Sequence, residues 1–319
     1  MKVLIIRFSS IGDIVLTTPI VRCLKKQILD CEIHFLTKSN FVPLIENNPY
    51  ISRIYTIKNK VSEVSEELKK ENYDVVIDLH HNLRSSQVKR AVGCSAHSFN
   101  KLNVEKWLLV NLKINRLPYI HIVDRYFETV KSLGVTNDNQ GLDYFIPARD
   151  VVDMGSAFQL ISKGYHILVV GGSYYTKKIP INKLQEICRI SNKPIIMLGG
   201  KEDVTAGDLM EEEFVGKVFS ACGKFTINQS ASIIQQADKV ITSDTGLMHI
   251  AAAFKKDVFS LWGNTVPEFG MYPYLAGKNS KILEVTNLRC RPCSKLGYNK
   301  CPKGHFKCMN EINVKEIFL

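Results

Sequence analysis

The stretch Ser243-Asp-Thr-Gly-Leu-Met-His249 brings together residue types suited to holding an anion. It follows an apolar run, Lys239-Val-Ile241, and leads into Leu247, Met248, Ile250 and Ala251, which are spaced as one face of a helix. Ser, Asp and Thr are preferred N-cap residues, so the helix is expected to begin at Asp244 or Thr245. A helix start offers free N–H groups and a partial positive charge, a natural seat for phosphate. Gly246 carries no side chain and would let a pyrophosphate approach the backbone. His249, one turn further in, could add a donor. An ordinary capped helix with a core-facing histidine fits the same residues.

Three other positions could contribute chemistry. Asp13 stands after the apolar run Val3-Leu-Ile-Ile6, where the end of a parallel strand presents ligand-binding groups. It could act as a general base toward a hydroxyl nucleophile, or cap the next helix. Lys177, in Thr176-Lys-Lys-Ile-Pro180, could neutralise a leaving diphosphate, or be half of a solvated basic pair. Glu202, after Gly199-Gly200, is placed to accept hydrogen bonds from ribose hydroxyls, or to be a surface carboxylate. Near the end of the chain, Cys290, Cys293, Cys301, His305 and Cys308 fall within nineteen positions. They make a candidate tetrahedral zinc set or a group of paired or free thiols.

These groups must be held by regular elements. Apolar runs at 1–8, 31–36, 51–57 and 73–79 alternate with helical patterns at about 14–28 and 61–71. Pro19 predicts a local irregularity in the first of those helices. The pattern returns at 165–170, 194–198, 239–242, 257–262 and 281–285, with helices at 181–191 and 226–236. This alternation predicts two successive doubly wound α/β halves with parallel sheets, and a cleft between them. Turn-rich sequence at 136–141 and a fresh start after Pro147 place the boundary near 145–160, giving domains 1–153 and 154–319 with a Cys-rich tail at 290–308.

Composition narrows the function. The chain has 319 residues, 45% of them hydrophobic, with no apolar run near the roughly 20 residues a membrane helix requires. Its opening apolar run is interrupted by Arg7 and Asp13 and reads as a buried strand, so a cytoplasmic location is expected. The net charge of +11 favours an anionic partner, although the basic residues are scattered. There is no G-x-G-x-x-G and no G-x-x-x-x-G-K-[ST], which argues against a dinucleotide dehydrogenase or a P-loop NTPase. No Asp-x-Asp offers a carboxylate pair for a catalytic metal.

Ile5-Ile-Arg-Phe-Ser-Ser-Ile-Gly-Asp-Ile-Val15, Asp78-Leu-His-His-Asn-Leu-Arg-Ser85, Thr176-Lys-Lys-Ile-Pro180 and Ser243-Asp-Thr-Gly-Leu-Met-His249, in this order, resemble the motifs of the ADP-heptose:lipopolysaccharide heptosyltransferases, glycosyltransferase family 9. The tail ending Lys307-Cys308-Met309 is also similar to that of many members. The family usually has an aromatic residue where Ile179 stands. The resemblance implies a GT-B architecture: two Rossmann-like doubly wound domains facing across a cleft. It implies inverting transfer of heptose from ADP-heptose to the lipopolysaccharide inner core, either lipid A–Kdo or a heptosylated acceptor, without a metal. Asp13 would be the base and Lys177 the group that meets the leaving diphosphate. The donor would lie at Ser173, Lys177, Glu202, Asp244, Thr245, Gly246, Leu247 and His249. The acceptor would lie near Ser10, Gly12, Asn82 and Arg84. No cofactor is required, and zinc on Cys290, Cys293, Cys301 and Cys308 would be structural.

Two further readings remain beside this one: a related transferase using another nucleotide sugar, and a basic, zinc-stapled nucleic-acid-binding protein. Against the latter, no helix carries a concentrated basic stripe. An anionic glycolipid acceptor also predicts peripheral docking on the inner leaflet. Lys101, Lys106, Lys113 and Arg116, interleaved with Trp107, Leu108, Leu109 and Val110, are the candidate surface, with Trp107 packed into the first domain's core as the alternative.

Overall fold

The computed structural model describes residues 1–158 and 164–318. Residues 159–163 and Leu319, which fall in the expected span 154–319, lie outside the described residues, as do the last two positions of the boundary window. The chain divides into two compact units. One comprises Met1–Lys101 and Ile120–Phe145, the other Leu102–Tyr119 and Ile146–Leu319.

In the first unit five described strands pair in parallel: β1 (Lys2–Ile6), β2 (Glu32–Lys38), β3 (Arg53–Ile57), β4 (Val75–Asp78) and β5 (Ser95–Ser98). Their order is β3-β2-β1-β4-β5. Val3 to Ile6 are wholly buried, as expected for a central parallel strand covered on both faces. β1 is the middle strand of the five, and truncating such a buried aliphatic side chain costs about 2–5 kcal/mol. The helix expected over 14–28 is two helices, Ile11–Val15 and Thr18–Gln27. Pro19 lies in the first turn of the second, where its missing N–H costs nothing.

The second unit repeats the plan with β6 (His166–Val169), β7 (Ile195–Leu198), β8 (Val218–Ser220), β9 (Lys239–Ser243), β10 (Asp257–Trp262) and β11 (Lys281–Glu284). All pair in parallel, in the order β11-β10-β9-β6-β7-β8. Each sheet therefore reverses its strand order once, between β1 and β4 and between β6 and β9. Crevices at the carboxyl ends of such strand pairs are where open α/β sheets bind ligands.

The segment 102–119, read above with the first domain, belongs to the second unit. Leu109 packs on Val266 and Phe269. Lys113 Nζ donates to the carbonyl oxygens of Val110 (2.8 Å) and Pro292 (2.6 Å). Lys295 Nζ donates to Asn103 Oδ1 (2.7 Å), and the rings of Tyr119 and Tyr272 stack 6.3 Å apart. The boundary nearer the middle of the chain falls between Phe145 and Ile146.

Candidate active site

In the first unit, Ser10 caps the helix Ile11–Val15, and Asp13 is the third residue of that helix rather than its cap. The Asp13 carboxylate accepts from Ser10 N–H (3.1 Å) and Ser10 Oγ (2.7 Å). Its other oxygen pairs with Arg7 Nη2 at 2.5 Å. Burial works against the carboxylate, but Arg7 and the Ser10 donors outweigh it and hold the Asp13 carboxyl below its ordinary value. Arg7 is itself fixed by donating to the carbonyls of Ser9 (2.8 Å) and Leu79 and to Tyr126 Oη (3.1 Å). The Asp13 side chain keeps 18% of its surface exposed, so a hydroxyl can still reach it.

Beside it, Asp78 ends β4 fully buried and is paid for by four donors: the His80 and His81 N–H groups (3.0 and 2.7 Å), Lys89 Nζ (3.1 Å) and Ser98 Oγ (3.3 Å). These bonds set the loop leading to Asn82, which caps the helix Leu83–Val92 by accepting from Ser85 N–H at 3.0 Å. Asn82 is thus engaged in structure, whereas Arg84 on the next turn is exposed. His80 sits edge-on to Phe8 with Nδ1 buried and unpartnered, and burial together with the Arg7 charge pushes it down to about 4. It is neutral at physiological pH.

In the second unit, Thr245, one of the two starts the sequence offered, caps the helix Gly246–Ala253, accepting from Met248 N–H at 3.4 Å. No acidic residue occupies the first turn of this helix, and Gly246 and Leu247 are partly exposed. Lys177 Nζ donates to Asp244 Oδ2 at 2.7 Å; the two side chains are 18% and 14% exposed. Asp244 takes one of the ammonium's N–H donors and leaves the others for a ligand. The ends of β6 and β9 thus place a cation beside an unblocked helix start, an arrangement suited to a diphosphate.

Ser173 and Glu202 lie exposed in the loops after β6 and β7. Those loops approach so closely that a Cβ at Gly171 would meet Asp203 at 2.8 Å. His249 is only 2% exposed, which corresponds to the core-facing alternative. Ile179 is buried among Leu168, Val170 and Leu184, so the position serves packing.

Lys178, Asp203, Thr265 and Arg7 were given no role in the site by the sequence reading. Lys178 donates to the buried Asp203 at 2.6 Å, tying the two loops together. Thr265, after β10, donates to Asp244 Oδ2 at 3.1 Å. Arg7 was noted as an interruption of the first strand and as part of the first family-like motif, with no role of its own. Thr265 stands at a strand's carboxyl end, the same signal that singled out Asp13.

The cysteines Cys290, Cys293, Cys301 and Cys308 are free thiols, and burial raises Cys293 to about 11 and Cys308 to about 12. Cys290 Sγ lies 3.9 Å from His305 Nε2. Among the described residues no three His, Cys, Asp or Glu side chains are grouped to hold a metal ion. The side chains expected to dock on a membrane also divide. Trp107 is 56% exposed, which sets aside the core alternative, whereas Lys106 is buried and Lys113 is spent on backbone carbonyls. Among the described residues no helix is long and apolar enough to cross a membrane.

Residues 61–301 match the family model described as glycosyltransferase family 9 (heptosyltransferase). The chain is 25% identical to lipopolysaccharide heptosyltransferase 1 of Campylobacter coli over 300 residues, covering 83% of this chain and 84% of that one. A glycosyl transferase family 9 structure from Veillonella parvula superposes with a TM-score of 0.74 at 23% identity, covering 90% of this chain and 86% of the other. The Escherichia coli heptosyltransferase WaaC, solved with ADP, gives 0.68 at 21% identity over 88% and 92% of the two chains. The same enzyme with ADP-2-deoxy-2-fluoro heptose gives 0.67 at 21% identity over the same shares. These likenesses establish the GT-B fold.

Proposed function

Because the chain belongs to glycosyltransferase family 9, the heptosyltransferases, we propose that it transfers heptose from ADP-heptose to the inner core of lipopolysaccharide, with inversion and without a metal. The observation that carries this reading is the Lys177–Asp244 pair beside the open helix start at Gly246. It supplies fixed positive charge where a nucleoside diphosphate leaves. The ligands in the two WaaC structures favour ADP as that nucleotide and heptose as the sugar.

An acceptor hydroxyl oxygen attacks the anomeric carbon on the face opposite the leaving group. The bond to the diphosphate oxygen breaks, and ADP departs with the electron pair. Lys177 and the N–H groups at Gly246 and Leu247 stabilise the charge that grows on that oxygen. Asp13 takes the hydroxyl proton. Arg7 and the Ser10 donors keep the Asp13 carboxyl lowered and ionised, able to accept that proton. Glu202 accepts from the ribose hydroxyls, and Ser10, Gly12 and Arg84 border the acceptor.

The acceptor in this reading is an anionic glycolipid on the inner leaflet, and a cytoplasmic enzyme meets it by peripheral docking. Exposed Trp107 and Arg116, rather than Lys106 and Lys113, are the groups available for that contact. Vesicle co-sedimentation that is unchanged by Trp107→Ala with Arg116→Ala would remove this surface from the account.

The function is tested by incubating the protein with ADP-, UDP- and GDP-sugars, scoring thermal shift and then transfer to lipid A–Kdo and heptosylated acceptors by mass spectrometry. The expected result is stabilisation by ADP and a mass gain of one heptose from ADP-heptose. Preference for a UDP or GDP sugar would overturn the assignment of the donor.

A further inference from the structure

We infer that the loop after β10 is a working part of the donor site, with Thr265 as a positioning residue for Asp244 and Lys177, held in place by the Cys-rich tail. This rests on the reading that Lys177 meets the donor diphosphate.

The Asp244 Oδ2 atom receives two donors, Lys177 Nζ at 2.7 Å and Thr265 Oγ1 at 3.1 Å. Lys177 arrives from the loop after β6, and Thr265 from the loop after β10. With Lys177 alone, the carboxylate could rotate with the flexible lysine and follow it toward an incoming anion. The buried threonine hydroxyl removes that freedom. It fixes the oxygen from which the ammonium must reach the ligand, and charge stabilisation falls off when such a group is displaced by a fraction of an ångström.

The threonine is fixed in turn. The carbonyl oxygens of three consecutive residues are all claimed by the tail. Arg291 Nε donates to Gly263 O at 2.6 Å, Cys293 N–H to Asn264 O at 3.1 Å, and Arg291 Nη2 to Thr265 O at 3.1 Å. The same guanidinium donates to Val285 O (2.6 Å) and Glu284 (2.8 Å), which anchors it to the end of β11. Asn264 Nδ2 donates to Ser294 Oγ at 3.3 Å.

The tail also grips the other loop. Thr176 N–H donates to Tyr298 O at 3.1 Å, and Tyr298 N–H donates to Thr176 Oγ1 at 2.8 Å, one residue before Lys177. The rings of Tyr175 and Phe306 stack 5.3 Å apart. There is no room for slack at the meeting point, since a Cβ on Gly263 would lie 2.8 Å from Met309 and 3.1 Å from Thr176 O. One irregular segment therefore sets both partners of Asp244.

The test is a double-mutant cycle on the full chain, reading ADP affinity by calorimetry and the split between kcat and donor KM. Thr265→Val keeps the shape and removes the hydroxyl. It should weaken ADP binding about five- to tenfold and raise donor KM more than it lowers kcat, the size expected for a hydrogen bond to a charged group. Thr265→Ser, which keeps the hydroxyl, should recover most of the affinity. In a Lys177→Ala background, Thr265→Val should change ADP affinity by less than about twofold, because the group it positions is gone. An equal loss in both backgrounds would reduce Thr265 to a structural role and overturn the inference while leaving the donor site intact. If Lys177→Ala itself binds ADP normally, the donor-site reading fails first. Should Thr265→Val not fold, Arg291→Lys, which keeps a cation by Glu284 but cannot span the carbonyls, takes its place in the cycle with the same expected non-additivity.

Discussion

The two units build the same crossing of strands and fill it with opposite chemistry. At the end of β1, the helix Ile11–Val15 carries its own anion: Asp13 accepts the Ser10 N–H and hydroxyl and is neutralised by Arg7. At the end of β9, the helix Gly246–Ala253 has no acidic residue in its first turn, and its cap is the neutral Thr245. The nearby carboxylate, Asp244, is turned aside to Lys177 and Thr265. A helix start that is already occupied holds a carboxylate ready for proton transfer. A helix start left open receives an anion from outside. In the proposed function the first serves as the proton acceptor and the second as the diphosphate seat.

The largest expected effect that sharpens this contrast comes from Asp13→Asn. The amide keeps the size but cannot take a proton, and its NH2 end would face a donor on Ser10 or Arg7, so kcat should fall by about 10²–10⁴-fold. Steady-state turnover near the native rate would return Asp13 to the role of a capping-box partner. Lys177→Ala should lower kcat/KM for the donor by about ten- to a hundredfold, the loss of one charge-assisted contact of about 1.5–3 kcal/mol. A change confined to the acceptor KM would break the assignment of roles.

Arg7→Gln probes the pairing that distinguishes the first site. As the proposed base Asp13 must be ionised, and Arg7 helps hold its carboxyl below the ordinary value. In the native chain the acid limb of kcat/KM should therefore lie below the unperturbed carboxyl value of about 3.9. With Arg7 gone, burial is less opposed and the limb should move to higher pH. The native pair's contribution to stability runs in the same sense. It is complete above the unfolded carboxyl's pKa and is lost as pH falls through the lower folded value. A pH profile of Arg7→Gln superposable on the native one would show that the pair does not set the base. The smallest expected effect is that of EDTA. Lys177 and the helix start supply the charge in this account, so initial rates should be unchanged after chelation and dialysis, and rescue of lost activity by magnesium would contradict it.

Much of this was legible in the sequence. The buried central strands announce themselves as apolar runs, and Asp257–Trp262 has the bounds that its residues suggest. The N-cap at Thr245 follows from residue type. The strands that escaped notice, Ser95–Ser98 and Val218–Ser220, are short and lie at the edges of their sheets. An edge strand is covered less than a central one, so Ser-Ala-His-Ser can serve without an apolar run. The helix Val204–Glu213 was also missed; Gly207 interrupts it and three glutamates close it. In the candidate site, single residues could be read but their pairing could not. Lys177 and Asp244 are 67 positions apart, and only the parallel order of β6 and β9 brings them together. The affiliation of 102–119 was hidden for a similar reason, because the apolar partners Val266 and Phe269 lie far along the chain.

The division of labour between the two units is tested most directly by titrating ADP into Asp13→Asn and Lys177→Ala side by side with the native chain, by calorimetry at one pH and salt concentration. The account predicts that Asp13→Asn binds ADP as the native protein does, while Lys177→Ala binds it about tenfold or more weakly. Native ADP affinity in Lys177→Ala, or a comparable loss in Asp13→Asn, would contradict it.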